Sequence, residues 1–417
     1  MAVTLTVTAG PHAGRAFAFD RHDTFLVGRA KDAHFQLSYD DPYFSRRHFL
    51  VEVNPPRVRV IDFKSRNGIK VNGQKVAHAE LKDGDELQAG HTTFRLRVPP
   101  PDPDSQETLD TPRASAPSVP AGLVSTAAKG APAPGLVSTM AFGPTIPGYA
   151  LETELGRGAM GVVYRATRQS DGAAVAVKVI TPVDGVAERE KQKFLREAAI
   201  MTELDHRCVV RCFDRGAAGP HLFIAMELLE GPDLKARVKD RGPLDVTPAV
   251  RLMVHVLDGL AYAHARGFVH RDVKPANVLL CGPKKARAAK VADFGLARAY
   301  DTCGMSGLTM QGEVGGTPAF MPPEQVTHYR EAKPAADQYS AAATLYYLLT
   351  ARFVLDFETD ATAQMIQIVQ DVRVPIRSRR PDLPTDLEAV VMKALALDPD
   401  KRFPTVTALK DALRVWV

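Results

Sequence analysis

His270-Arg271-Asp272-Val273-Lys274-Pro275-Ala276-Asn277 is the stretch on which the reading of this chain turns. The run is short and polar, with Gly267-Phe268-Val269 before it and Val278-Leu279-Leu280 after it. A carboxylate, a lysine and an amide gathered between strand-like flanks are groups held out from a rigid scaffold. Taken alone, the run also fits a charged surface turn. Its meaning depends on the parts the rest of the chain supplies.

Moving outward, an aspartate stands at a strand end beside glycine in Val291-Ala292-Asp293-Phe294-Gly295, 21 residues after Asp272. Gly316-Thr317-Pro318 and Pro322-Pro323-Glu324 follow. Upstream, 251–265 reads as an apolar helix stopped near Gly267. Leu222-Phe223-Ile224-Ala225-Met226 reads as a buried strand running into Glu227-Leu228-Leu229-Glu230-Gly231. Val175-Ala176-Val177-Lys178-Val179 places a lysine inside an apolar strand, where it is costly unless paired. Glu197, 19 residues on, lies in an amphipathic helical pattern over 188–204 and could be that partner, or could belong to a solvated face. Leu155-Gly156-Arg157-Gly158-Ala159-Met160-Gly161-Val162-Val163-Tyr164 puts three glycines before a β-branched strand. Glycine lets backbone close over a phosphate chain. A dinucleotide-binding turn would open a helix directly after the glycines, whereas Val162-Val163-Tyr164-Arg165-Ala166 reads as a second strand, so the segment is a hairpin flap.

Glycine-rich loop, strand lysine, helix glutamate, catalytic-loop Asp-x-Lys-x-x-Asn and Asp-Phe-Gly occur in order, and residues 148–413 resemble a eukaryotic-type (Hanks-type) Ser/Thr protein kinase domain as found in bacteria. The resemblance implies an α+β bilobal fold with ATP between the lobes. It implies that Leu155, Gly156, Arg157, Gly158, Ala159, Met160, Gly161 and Val162 cover the triphosphate, and that Lys178, held by Glu197, contacts the α/β oxygens. Val163, Ala176 and Leu279 would sandwich adenine, beside Glu227 and Leu229, and Asp233 would reach the ribose. Asn277 and Asp293 would hold Mg²⁺ (or Mn²⁺), Asp272 would act as base, and Lys274 would meet the γ-phosphate. Lys274 and Thr317 favour Ser/Thr over Tyr as acceptor. Arg271 asks for an anion, and Thr309 is the expected autophosphorylation site among Thr302, Ser306, Thr309 and Thr317. Pro322 stands where the family usually has alanine, and Tyr339-Ser340-Ala341-Ala342 replaces a habitual glycine. Glu324 is expected to find Arg402, and Asp337 to brace the catalytic-loop backbone. The alternative is a phosphopeptide-reading scaffold with a nucleotide-sensing pseudokinase.

The first 98 residues follow another pattern. Val3-Thr4-Leu5-Thr6-Val7-Thr8 alternates with period two, and similar runs recur at 17–19, 49–53, 58–61 and 94–98, separated by Gly, Pro, Asp and Asn. Many short strands with turns between them argue for an all-β sandwich. Polar residues gather in the connections: Gly28-Arg29, Ser45-Arg46-Arg47-His48, Arg66-Asn67-Gly68 and Asn72-Gly73. The arginine fork suits phosphate, with hydroxyl and amide to complete a cradle, and the segment carries net charge +4. Asn72-Gly73 alone is a hairpin turn. The ordered set resembles a forkhead-associated (FHA) domain over 1–98, which implies phosphothreonine peptides as partners. By that resemblance Arg29 and Ser45 hold the phosphate, Arg46 lies nearby, Asn67 grips the peptide backbone, His48 braces the loops, and Asn72 does either.

Residues 99–147 are dense in Pro, Ala, Ser, Thr and Gly, a composition expected to stay disordered. Gly122-Leu-Val-Ser-Thr126 recurs as Gly135-Leu-Val-Ser-Thr139, as docking motif or as slippage. Thr108, between Glu107 and Asp110, is the foremost linker threonine for modification, and the FHA domain is expected either to capture it within the same chain, an intramolecular contact, or to recruit phosphorylated partner proteins. Such a linker spans about 40 Å on average, at about 5–6 Å × √n.

Length and charge bound the rest. The chain has 417 residues, enough for two or three domains, and a formal charge of +5, too mild to imply nucleic acid. Four scattered cysteines give neither a disulfide framework nor a zinc site. The N-terminus lacks a secretory pattern, and the longest apolar run, 339–350, is too short for a membrane span. Many bacterial receptor kinases continue into a span and this chain ends at Val417, so the expectation is a cytoplasmic signalling kinase with protein substrates and no membrane span.

Overall fold

The computed structural model describes residues 2–37, 43–100, 143–158, 161–182, 188–283, 287–294, 296, 318–370 and 372–417. The expected linker between 101 and 142, with Thr108 and the repeated pentapeptide, lies outside the described residues. So do Ala159, Met160, Gly295 and the segment 297–317 with Thr302, Ser306, Thr309 and Thr317.

The first domain consists of β1 (Val3–Ala9), β2 (Ala16–Phe19), β3 (Asp23–Gly28), β4 (Phe35–Gln36), β5 (Phe49–Asn54), β6 (Arg57–Asp62), β7 (Ile69–Val71), β8 (Gln74–Val76), β9 (His78–Leu81), β10 (Glu86–Ala89) and β11 (Thr92–Arg97). They form a six-stranded sheet, β2-β1-β11-β10-β7-β8, and a five-stranded sheet, β4-β3-β5-β6-β9. Val3, Leu5 and Val7 point inward between half-buried threonines, as the alternation of β1 requires. Phe25, Val27, Phe49, Val51, Val58 and Val60 supply the second sheet's half of the core. The intervening Leu26, Leu50 and Ile61 are equally buried, on the opposite face. Strict alternation therefore fails here, because both faces of this sheet are covered.

The second domain begins with a five-stranded antiparallel sheet ordered β12-β13-β14-β16-β15. Its strands are β12 (Tyr149–Gly158), β13 (Gly161–Arg168), β14 (Ala174–Ile180), β15 (Cys212–Ala218) and β16 (His221–Glu227). Phe194 and Ala198 anchor helix α1 (Glu188–Glu203) in an apolar cluster with this sheet. Ile146 is also buried among Tyr149 and Tyr164, so the small lobe recruits residues just before β12.

The large lobe is helical: α2 (Leu234–Arg241), α3 (Val246–His264), α4 (Pro323–Thr327), α5 (Pro334–Thr350), α6 (Ala361–Gln370), α7 (Ile376–Arg379), α8 (Thr385–Ala394) and α9 (Val406–Leu413). The apolar run at 339–350 is part of α5, which is buried on nearly every side. A hydrophobic helix without a water-facing stripe belongs in a core. Between the lobes lies the hairpin β17 (Val278–Cys281) and β18 (Ala288–Val291). It fixes the polar run before β17 and Asp293 after β18 at the cleft.

Candidate active site

His270–Asn277 is the turn entering β17, closed by a 3₁₀ segment over Pro275–Asn277. His270 is fully buried. Its Nδ1 lies 3.1 Å from the Asp272 amide, and its Nε2 meets the Ala292 carbonyl at 2.8 Å. One imidazole thus joins the Asp272 loop to the Asp293 strand end. Beneath it, the Asp337 carboxylate of α5 accepts from the backbone amides of His270 and Arg271, both at 2.8 Å, and contacts His264 Nε2 at 2.7 Å. The expected brace is in place. Arg271 and Asp293 have φ of 69° and 62°, a left-handed conformation that non-glycine residues hold only when neighbours impose it.

The functional side chains converge on this frame. Asn277 donates its amide nitrogen to the Asp272 carbonyl at 2.8 Å and to its carboxylate at 2.9 Å. Lys274 Nζ lies 2.8 Å from the same carboxylate. From the small lobe, Lys178 Nζ reaches Asp293 Oδ2 at 2.8 Å. Burial alone would raise the Asp293 carboxyl, but the charge and hydrogen bond of Lys178, with His270 and Lys274 beyond, outweigh it and hold the group below the ordinary carboxylate range. Glu197 is half-buried on α1, one turn from Phe194. Asn277 and Asp293 offer hard oxygen donors, a chemistry that fits Mg²⁺ or Mn²⁺.

Above the site, β12 and β13 form the flap, with Gly156 opposite Val163, Arg157 opposite Val162 and Gly158 opposite Gly161. Gly161 has φ of 127°, and a Cβ there would collide with the Val179 carbonyl, so only glycine brings the flap this close to β14. Leu155 is exposed, and Arg157 pairs with Glu154 at 2.7 Å on the surface. Val163, Leu229 and Leu279 pack against the cluster that contains Ala176, giving an apolar slot at the back of the cleft. Glu227 turns its carboxylate to Lys290, at 2.6 and 2.8 Å, and to the Arg211 amide at 2.8 Å. Asp233 caps α2 by accepting from the Ala236 amide at 2.7 Å. Sequence reasoning assigned both to the nucleotide and missed these local duties, along with Lys290.

The first domain gathers its predicted polar residues at one end. His48 is fully buried; its Nδ1 accepts from the Ser45 amide at 3.0 Å and Nε2 faces the Gly68 carbonyl at 3.3 Å. Ser45 Oγ accepts from the Arg66 amide at 3.0 Å, and Arg29 N–H donates to the Ser45 carbonyl at 3.1 Å. Asn67 donates to the Tyr43 carbonyl at 2.8 Å. Asn72 bonds Asp85 and the Glu86 amide at 2.8 and 2.9 Å, a turn-holding role. Arg46 is exposed. Arg29 keeps a buried Nε with no hydrogen-bond partner among the described residues. A buried cationic donor without an acceptor fits an incoming anion.

Comparison with known proteins agrees with this geometry. Residues 149–413 match the protein kinase domain family and residues 25–90 match the FHA domain family. A serine/threonine-protein kinase PkaA of Streptomyces coelicolor is 35% identical over 279 residues, covering 64% of this chain and 49% of that protein. Serine/threonine-protein kinase Pkn1 of Myxococcus xanthus is 36% identical over 268 residues, covering 64% of this chain and 38% of that protein. The chain thus spans about half or less of the length of these curated relatives. The crystal structure of the Mycobacterium tuberculosis PknI kinase domain aligns at TM-score 0.52 and 28% identity, over 68% of this chain and 100% of that one. Rad53 1-466 in complex with AMP-PNP aligns at TM-score 0.52 and 19% identity over 100% of both chains, a likeness of fold.

Proposed function

The chain belongs to the protein kinase family and carries an FHA domain, and from that premise we propose that it transfers the γ-phosphate of ATP to serine or threonine hydroxyls of protein substrates. The observation that carries this reading is the Asp272 carboxylate, held between the Asn277 amide at 2.9 Å and Lys274 at 2.8 Å. So held, Asp272 orients the acceptor hydroxyl and takes its proton, while Lys274 faces the charge that develops on the transferring group. Asn277 and Asp293 would hold Mg²⁺, which would neutralise phosphate charge. Lys178 and the glycine flap position the α/β phosphates, and the slot of Val163, Ala176 and Leu279 takes adenine.

The FHA domain reads phosphothreonine through Arg29, Ser45, Arg46 and Asn67, on the enzyme's own linker (Thr108 first) or on partner proteins. The enzyme autophosphorylates at Thr309 and works in the cytoplasm, where ATP is available.

Transfer of radiolabelled phosphate from ATP to a generic protein substrate tests the enzymatic reading. Asp272→Ala should abolish most transfer and keep nucleotide binding; full transfer by that variant would sink the assignment. Pull-down with phosphothreonine peptides, wild type against Arg29→Ala, tests the reader, and wild-type capture without phospho-dependence would refute it. Mass spectrometry of active protein should find phosphate at Thr309.

A further inference from the structure

The outer face of the β3–β5–β6 sheet is apolar where a water-facing sheet would be polar. Leu26, Leu50, Ile61 and Phe63 are buried, and they share one apolar cluster with Val326 of α4 and Met365 and Ile366 of α6. The polar groups on this face meet partners on the large lobe. Thr24 Oγ1 accepts from the Tyr329 amide at 3.1 Å. Asp23 takes Arg330 at 3.1 Å, with Asp20 at 3.5 Å on the same guanidinium. Farther along, Arg47 donates to the Val369 carbonyl at 3.2 Å and Gln370 donates to the Phe63 carbonyl at 2.7 Å.

We propose that this face is an intramolecular docking surface for the kinase's own large lobe, and that docking holds the catalytic loop in its working form. The second clause follows from what lies behind Arg330. Its carbonyl accepts from Arg271 Nη2 at 3.4 Å, and Gln325 of α4 donates to the Arg271 carbonyl at 2.8 Å. Arg271, at φ 69°, keeps its strained backbone only while such neighbours enforce it. The 3₁₀ turn Tyr329–Glu331 and α4, which supply both contacts, are the elements on which β3 packs. A continuous line therefore runs from Asp23 through Arg330 to Arg271 and the neighbouring Asp272. Both surfaces belong to one chain, so the large lobe of that same chain is the occupant the contacts show. At the other edge, Arg47 grips α6 from the loop that carries Ser45 and Arg46, so the loop read above as phosphate-binding is also part of the interface.

The test uses the full chain with Asp23→Arg, Arg330→Asp and the combined exchange. Small-angle scattering reports whether the domains stay docked, and steady-state kinetics on a generic peptide report turnover. Each single variant should enlarge the radius of gyration and lower kcat about fivefold, with KM for ATP unchanged. The combined exchange should restore both, which a variant that merely misfolds cannot do. Single variants with wild-type dimensions would overturn the docking surface. Enlarged dimensions with unchanged or higher kcat would overturn the link to the catalytic loop. The scattering result is independent of enzymatic activity, so a chain that transfers no phosphate would refute the kinase proposal and leave the docking proposal open to refutation on dimensions alone.

Discussion

Lys178 and Asp293 meet across the cleft, ammonium to carboxylate at 2.8 Å, the first from the small lobe and the second from the large. Lys178 is buried in a strand of Val and Ala, where an unpaired ammonium would be expelled or neutralised. The pairing gives each buried charge a countercharge and brings a small-lobe cation and a large-lobe carboxylate together at the cleft.

Replacing Lys178 by Met should lower transfer by at least about a hundredfold, since a preorganised charge facing the phosphates is lost. It also changes how Asp293 titrates. In the wild type that carboxyl is depressed, so its contribution to stability is present above the ordinary carboxylate pKa and is lost only as pH falls through the lower folded value. Without Lys178, burial remains as the largest influence, and it raises the carboxyl. Binding of Mg²⁺-ATP should therefore be flat from neutral to mildly acidic pH in the wild type and should weaken with acid in the variant. Fluorescence titration of a nucleotide analogue across pH would measure it, and parallel profiles would count against the pairing.

Glu324 and Arg402 form the second test. Arg402 has a side chain with 0% exposure and meets the Glu324 carboxylate through both terminal nitrogens, at 2.6 and 2.8 Å. Its remaining donors go to the Ala335 and Ala396 carbonyls at 2.7 and 2.9 Å. Glu324→Gln leaves that guanidinium buried without its countercharge, a loss of about 3–5 kcal/mol. Urea denaturation should show a lower midpoint for the large lobe. Pro322, unusual at its position, precedes α4 as its cap residue with ψ of 154°, a conformation proline adopts freely, so this departure costs the Glu324 contact nothing.

The readable part of this protein was its short-range chemistry. Asp272, Lys274 and Asn277 stand within six residues of one another, and the loop supplies their mutual contacts itself. Residue type and spacing are enough to announce such a site. The contacts of Lys178 were less legible: a helix carboxylate, Glu197, was expected from the sequence, and the meeting with Asp293 at 2.8 Å joins residues 115 apart, which sequence spacing does not announce. Asp233 and Glu227 show the same limit, since a carboxylate near a nucleotide in sequence can be engaged in capping a helix or neutralising Lys290. The docking of the two domains left a single trace. Phe25-Leu26-Val27 and Phe49-Leu50-Val51 are unbroken apolar runs in a sheet expected to alternate, but their partners are about 300 residues away, as the 307-residue separation of Asp23 and Arg330 illustrates.

Arg29→Ala and His48→Ala should both weaken phosphothreonine-peptide binding, by different routes. Losing Arg29 removes a buried donor that meets no acceptor among the described residues, so affinity falls while the fold is kept. His48 removes the ring that ties the Ser45 amide to the Gly68 carbonyl, which should also destabilise the domain by about 1–3 kcal/mol. Calorimetric titration and thermal melting together separate the two. Equal losses of stability would refute the division of roles.

Acid should loosen the domains from each other through His34. Its Nδ1 accepts from the Leu26 amide at 3.0 Å, and its ring lies 4.3 Å from that of His328 on the large lobe, with Glu331 and Asp32 as the nearby carboxylates. Burial, with the neighbouring His328, lowers the His34 pKa to about 4. A histidine with a lowered folded pKa favours the folded, docked form while neutral. That advantage is complete above the ordinary histidine value near 6.5 and shrinks as pH falls from 6.5 toward 4, where the undocked ring takes up a proton first. Protonation would also break the Leu26 bond. The radius of gyration should therefore rise between about pH 6.5 and 4 in the wild type. His34→Gln, which can still accept from the Leu26 amide but cannot be protonated there, should flatten that rise; an unchanged profile in this variant would assign the acid response to another group.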